Sequence, residues 1–153
     1  MNAKSPNHSR ITGTFAEYFV LYLLSKRGFE CARVDHVGID LLAKDPASGE
    51  MLGVSVKSRS RYAGTEVDPI NLHETDIAKA EEACTRFVPA VPHFAFVVDT
   101  PDQITLLLLS AKRLRELMPG NGPLHYWKMS SAAIEAYRAD SEIEVVEYRR
   151  TSA

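Results

Sequence analysis

The sequence has little cysteine: Cys31 and Cys84 stand far apart and alone in 153 residues. Two isolated thiols give neither a disulfide framework nor the paired spacing of a zinc site, and a reduced, cytoplasmic setting is the simplest expectation. Long apolar runs are absent too. The greasiest stretches, "FVLYLL" and "ITLLLL", fall far short of the roughly 20 residues that cross a bilayer, and "MNAKSPNHSR" lacks an apolar core, so no membrane partner is expected. Nor is there an excess of positive charge: 18 Lys and Arg against 20 Asp and Glu leave a formal charge of -2. A polyanion would have to be met by a local patch. No Gly-rich phosphate loop, Gly-x-Ser-x-Gly elbow, Cys/His zinc pattern or repeat occurs, which removes most enzyme classes that short motifs reveal.

What is present has ordinary globular composition, 45% hydrophobic and 25% charged, at a length that suits one domain with one core. Residues 11–26, "ITGTFAEYFVLYLLSK", have helical length, with Ser9 or Thr12 as N-cap and Gly28 just past the end. Residues 29–35, 38–44 and 51–59 read as a three-stranded meander, 60–72 as a polar loop and 74–87 as an amphipathic helix with an acidic exposed face. The unbroken apolar runs at 93–99 and 103–110 predict strands covered on both faces, in the middle of a sheet. Helical "AKRLRELM", turn-rich "PGNGPLHYW", helical "SAAIEAYRA" and strand-like "EIEVVEYR" follow. The expectation is a single α/β domain over 1–153, with a core at about 10–118 and a C-terminal extension at about 119–153. The order is αβββαββα, giving a mixed sheet with helices on both faces, and the 74–87 helix returns the chain for a parallel strand.

The stretch "VGIDLLAKDPASGEMLGVSVKSRS" places an acid and a base on neighbouring strands. A turn centred on 47–49 makes partners across the hairpin sum to about 95–97, which sets Asp40 opposite Ser55 or Lys57. Alternation then puts Asp40, Leu42, Gly53, Ser55, Lys57 and Arg59 on one face, with Ile39, Leu41, Val54 and Val56 filling the other. Opposed side chains sit about 5 Å apart at Cβ, so Asp40 and Lys57 can act on one atom or simply form a cross-strand ion pair. Glu17 is the only charged residue between Arg10 and Lys26, in a helix apolar around most of its circumference and therefore mostly buried. A buried carboxylate needs a partner, a metal or a proton; the other reading has Glu17 on a narrow water-facing stripe with Arg10, Gly13 and Thr14.

The ordered trio of "GTFAE" on a first helix, "GID" opening a strand and "VSVKSR" on the next resembles the PD-(D/E)xK nuclease superfamily, in particular its Holliday-junction-resolvase-like and restriction-endonuclease-like members. The resemblance covers about the first 60 residues in motif terms. It implies a restriction-endonuclease-like mixed sheet and a Mg²⁺- or Mn²⁺-dependent endonuclease acting on DNA, and it admits a homodimer. Carried over, it makes Asp40 the metal-binding acid, Lys57 the lysine beside the attacking water, Glu17 an assisting helix carboxylate and the Val56 carbonyl a further ligand. Ser55 stands where the pattern has Glu, Asp or sometimes Gln. In some restriction enzymes of this superfamily Ser stands there and the following helix supplies the acid. Glu74 is then the first candidate, with Asp76, Glu66 and Asp68 behind it. The alternative is a decayed site, a catalytically inactive module that binds nucleic acid or protein.

"KSRSRY" adds Lys57, Arg59, Arg61 and Tyr62 in six residues, a cationic and aromatic stretch where phosphate contacts could begin. In isolation it is an ordinary basic loop; beside a nuclease-like hairpin it is the expected DNA contact. His36 and His73 are lone loop histidines, and Tyr126 and Trp127 are expected to pack under the C-terminal loop rather than stack on bases.

Overall fold

A computed structural model describes residues 3–118 and 122–151. The first helix, α1 (His8–Lys26), starts before the expected Ile11. Asn7 occupies the N-cap position without a side-chain bond, and Thr12 turns its hydroxyl back onto the His8 carbonyl at 2.8 Å, so neither Ser9 nor Thr12 caps the helix. Gly28, at φ 87°, takes the left-handed conformation that ends it. The chain continues through β1 (Glu30–His36), β2 (Ile39–Lys44), β3 (Met51–Ser60), β4 (Ile70–His73), α2 (Glu74–Arg86), β5 (Val91–Asp99), β6 (Gln103–Ser110), α3 (Ala111–Leu117), β7 (Leu124–Trp127), α4 (Ser131–Arg138) and β8 (Glu144–Arg149).

Six strands form one mixed sheet in the order β1-β2-β3-β5-β6-β8. The β3–β5 pair is parallel, with α2 in the connection, and the other pairs are antiparallel. Period-two alternation divides the central strands between two cores. Phe94, Phe96, Val98, Leu107 and Leu109 meet Ile77, Ala80, Ala83 and Cys84 of α2. Ala95, Val97, Leu106 and Leu108 meet Ala16, Val20, Leu23 and Leu24, the i, i+4, i+7, i+8 stripe of α1. The sheet is thus covered on both sides, as the apolar runs predict. The outer side of α1 is not: Ile11, Phe15, Tyr18 and Tyr22 are exposed, so the apolar circumference of this helix does not mean burial all round.

Three parts of the chain depart from the sequence reading. The 60–72 "loop" ends in β4, which pairs with β7 inside the turn-rich "PGNGPLHYW" to make a second, two-stranded sheet. Pro119, Gly120 and Asn121 of that segment lie outside the described residues. From residue 122 onwards the chain is built into the body of the domain: β8 extends the main sheet, and Trp127, Tyr137 and Ile143 belong to the α2-side core. Among the described residues no helix is long and apolar enough to cross a membrane.

Candidate active site

The site forms where β2 leaves β3. The ladder between them runs from Lys44↔Met51 to Leu41↔Val54, at the constant sum that sets Asp40 opposite Ser55. One residue past the last pair, Asp40 Oδ2 accepts the Val56 N–H at 2.7 Å. A side-chain oxygen has taken the place of a ladder carbonyl, and the strands splay. The splay also breaks strict alternation: Ile39 packs in the α2-side core, while Leu41 and Val54 pack against α1. Ile39 therefore does not share a face with them, as the hairpin register alone had implied.

Two glycines hold this geometry. Gly38, at φ 103°, makes the turn between β1 and β2, where a Cβ would lie 2.3 Å from the Lys79 carbonyl oxygen of α2. Gly53 lets β3 approach the same helix, since a Cβ there would lie 2.4 Å from Cys84 Sγ.

Asp40 faces a polar cleft of about 470 Å³ lined by Glu17, Arg33, Val34, Asp35 and His36 as well as itself. Burial lifts its carboxyl to about 6; the Val56 N–H opposes that, and Glu17, within proton-sharing reach, adds to it. Glu17 is only 20% exposed at its side chain and has a second neighbour: Arg33 of β1 donates to its Oε2 at 2.9 Å. Glu17 is thus half-buried, with a guanidinium partner and Asp40 beside it in the cleft. Lys57 sends its ammonium to Asp76 of α2 at 3.8 Å rather than to Asp40, although its charge still lowers the Asp40 pKa. A direct Asp40–Lys57 ion pair is not formed.

Ser55 is 5% exposed and central in β3. Glu74 is held elsewhere: Arg115 clasps both its oxygens at 2.7 and 3.1 Å, and His125 contacts Oε2 at 2.9 Å. These contacts hold its pKa below the usual carboxylate range. The acid that α2 offers to Lys57 is Asp76. Arg59 and Arg61 also turn inward onto backbone, Arg59 to the Ser58 carbonyl at 2.7 Å and Arg61 to the Pro69 carbonyl at 3.0 Å, which ties the 61–70 segment to the end of β3. Tyr62 has the Lys4 ammonium 4.3 Å over its ring. His36 lies at the cleft with its ring edge against Phe87, whereas His73 is the N-cap residue of α2. Trp127 is buried in the core and Tyr126 is exposed.

Sequence reading missed Arg33, Asp35 and the reach of Asp76. Arg33 and Asp35 sit on an edge strand outside any motif. Only the expected β1–β2 pairing could have placed them beside Asp40.

Among the described residues no three His, Cys, Asp or Glu side chains are close enough to hold a metal between them. Two carboxylates, Glu17 and Asp40, do line one cleft. Magnesium commonly takes only one or two protein carboxylates and keeps waters or substrate phosphate in its other positions. The donor set, all oxygen, suits such an ion.

No family model and no curated protein sequence matches the chain. Among solved structures it is similar to the 1.6 Å structure of Hjc, a Holliday junction resolvase from the archaeal hyperthermophile Archaeoglobus fulgidus. The TM-score is 0.57 at 18% identity, over 81% of this chain and 88% of that one. This is the restriction-endonuclease-like fold. The likeness extends past the first 60 residues that carry the motifs, because it covers 81% of the chain.

Proposed function

We propose that the protein is a metal-dependent endonuclease that cleaves phosphodiester bonds of DNA. The observation that carries this reading is that Glu17 and Asp40 line one cleft at the point where Asp40 accepts the N–H of Val56, the residue before Lys57. Asp40, Glu17 and the Val56 carbonyl would hold Mg²⁺ or Mn²⁺; Glu74 is taken by Arg115 and His125, and Asp76 faces Lys57. Once bound, the ion would supply a polarised water and neutralise charge on the phosphodiester. Lys57, whose ammonium rests 3.8 Å from Asp76 and whose charge reaches Asp40, would orient that water and stabilise charge developing on the phosphate.

The resolvase likeness makes a four-way junction the first substrate to try, beside plain duplex and single strand. Purified protein is expected to nick one of these with Mn²⁺ and to stop with EDTA. Asp40→Asn should abolish both nicking and Mn²⁺ binding, while Lys57→Ala should leave Mn²⁺ bound and slow nicking about 10²–10⁴-fold. The inactive-module reading draws on Ser55 and on the guanidinium already seated on Glu17. It becomes the answer if wild type holds DNA in a salt-dependent way yet cuts none of the three substrates.

A further inference from the structure

Arg33 does something that no ordinary surface ion pair at an edge strand would do: its partner is one of the two carboxylates of the candidate site. Its Nη2 donates to Glu17 Oε2 at 2.9 Å and its Nη1 to the Tyr18 hydroxyl at 3.2 Å. The guanidinium also lies 4.7 Å from the Tyr18 ring centroid, so both Glu17 and Tyr18 hold it. The side chain remains 41% exposed at the lip of the Glu17–Asp40 cleft, where incoming solutes can reach it. A guanidinium is always charged and cannot leave by losing a proton. While it stays, one oxygen of Glu17 is taken, and a divalent ion must compete with it.

A phosphodiester entering the cleft changes that competition. Its two free oxygens match the guanidinium fork at least as well as one carboxylate oxygen does. Resting on the metal-site reading above, we infer that Arg33 is a substrate-released latch: it holds Glu17 until a nucleic-acid phosphate draws it away, so that DNA and the divalent ion promote each other's binding. Arg33 is here a positioning residue for the cation, acting through Glu17. Because the coupling is a linkage between two equilibria, DNA must raise cation affinity by the same factor as the cation raises DNA affinity.

The test uses Mn²⁺ alone as the first probe, titrated calorimetrically into wild type, Arg33→Met, Tyr18→Phe and Asp40→Asn, with circular dichroism confirming the fold. Met keeps an apolar stem and removes the charge. Arg33→Met should bind Mn²⁺ about 10-fold more tightly than wild type, within the usual range of coupling. Tyr18→Phe, which removes only the hydroxyl that helps hold the guanidinium, should show a smaller rise. The second probe is a duplex with phosphorothioate linkages, followed by fluorescence anisotropy with Mn²⁺ or with EDTA. Wild type should bind the duplex about 10-fold more tightly with Mn²⁺, and Arg33→Met should show a smaller difference, since only direct contact between ion and phosphate then couples the two. Equal Mn²⁺ affinity in wild type and Arg33→Met, or coupling as strong in Arg33→Met as in wild type, overturns the latch. If Asp40→Asn meanwhile loses Mn²⁺, the metal site survives and only the latch falls. If Asp40→Asn binds Mn²⁺ as wild type does, the site reading falls and takes the latch with it.

Discussion

Asp40 accepts the Val56 N–H with one oxygen while burial and then Glu17 hold its carboxyl at about 6, against an ordinary 3.8. A carboxyl whose folded pKa is raised favours the folded state most below its unfolded value, and that contribution disappears as pH rises through the folded value. Across about pH 4 to 6 the wild type should therefore lose stability relative to a variant without this titration, and above pH 7 it carries the full penalty. Asp40→Asn keeps an oxygen for the Val56 N–H and offers Glu17 an N–H in place of a repelling charge. Its thermal midpoint should exceed that of wild type at pH 7.5, with the gap closing as pH falls towards 4. Mn²⁺ should raise the wild-type midpoint and leave the variant unmoved, because only a bound ion stabilises by mass action. A scan of both proteins in EDTA and in Mn²⁺ from pH 4 to 8 checks this; a variant less stable than wild type at pH 7.5 defeats it. At this scale the acid and the lysine were legible because they sit in one short hairpin with a fixed register. Arg33 was not, since its meaning comes from Glu17, 16 positions away on another element.

The hairpin, the crossover helix and the central strands follow from local signals: turn residues, helical spacing and unbroken apolar runs. β4 and β7 do not, because each is only four residues long and finds its partner more than fifty positions away, as Leu72↔His125 shows. The departure of β2 from β3 was likewise hidden, since an ideal ladder predicts alternation to the end and the sequence carries no mark of the splay beyond Gly38. That glycine combines a positive φ with a backbone atom where a side chain would begin. Gly38→Ala should cost about 2–4 kcal/mol, the range of strain and overpacking together. It should also weaken Mn²⁺ binding, because relief would come from moving the β1–β2 turn that carries Asp40. Gly49→Ala is the comparison: its φ is 74° but no atom lies within 4 Å of the added carbon, so only backbone strain of about 1 kcal/mol is expected and Mn²⁺ binding should be unchanged. Chemical denaturation of the two variants measures both costs, and equal losses would remove the role given to the close approach of α2.

Over the whole molecule the two faces of the sheet are held differently. The buried residues of the α1 side are aliphatic, while the α2 side is organised around an aromatic column in which Phe96 stacks on Trp127 at 4.9 Å and Trp127 on Tyr137 at 4.4 Å between centroids. Phe96 comes from the central sheet, Trp127 from β7 and Tyr137 from α4, so the column fastens the C-terminal third to the strand that pairs with β3. A fragment ending at residue 118 would lose two of the three rings and the β8 edge together. It should not unfold cooperatively in a denaturant titration followed by circular dichroism. Within the full chain, Trp127→Ala should cost about 3–5 kcal/mol, as expected for emptying a site that is 1% exposed. Trp127→Phe should cost far less, about 1–2 kcal/mol, for two reasons. It keeps a ring between Phe96 and Tyr137, and it removes an indole N–H that has no acceptor in its buried position. If Phe were as damaging as Ala, the column would be a matter of filled volume alone; if Ala were as mild as Phe, the C-terminal third would be held by β8 and not by the aromatic stack.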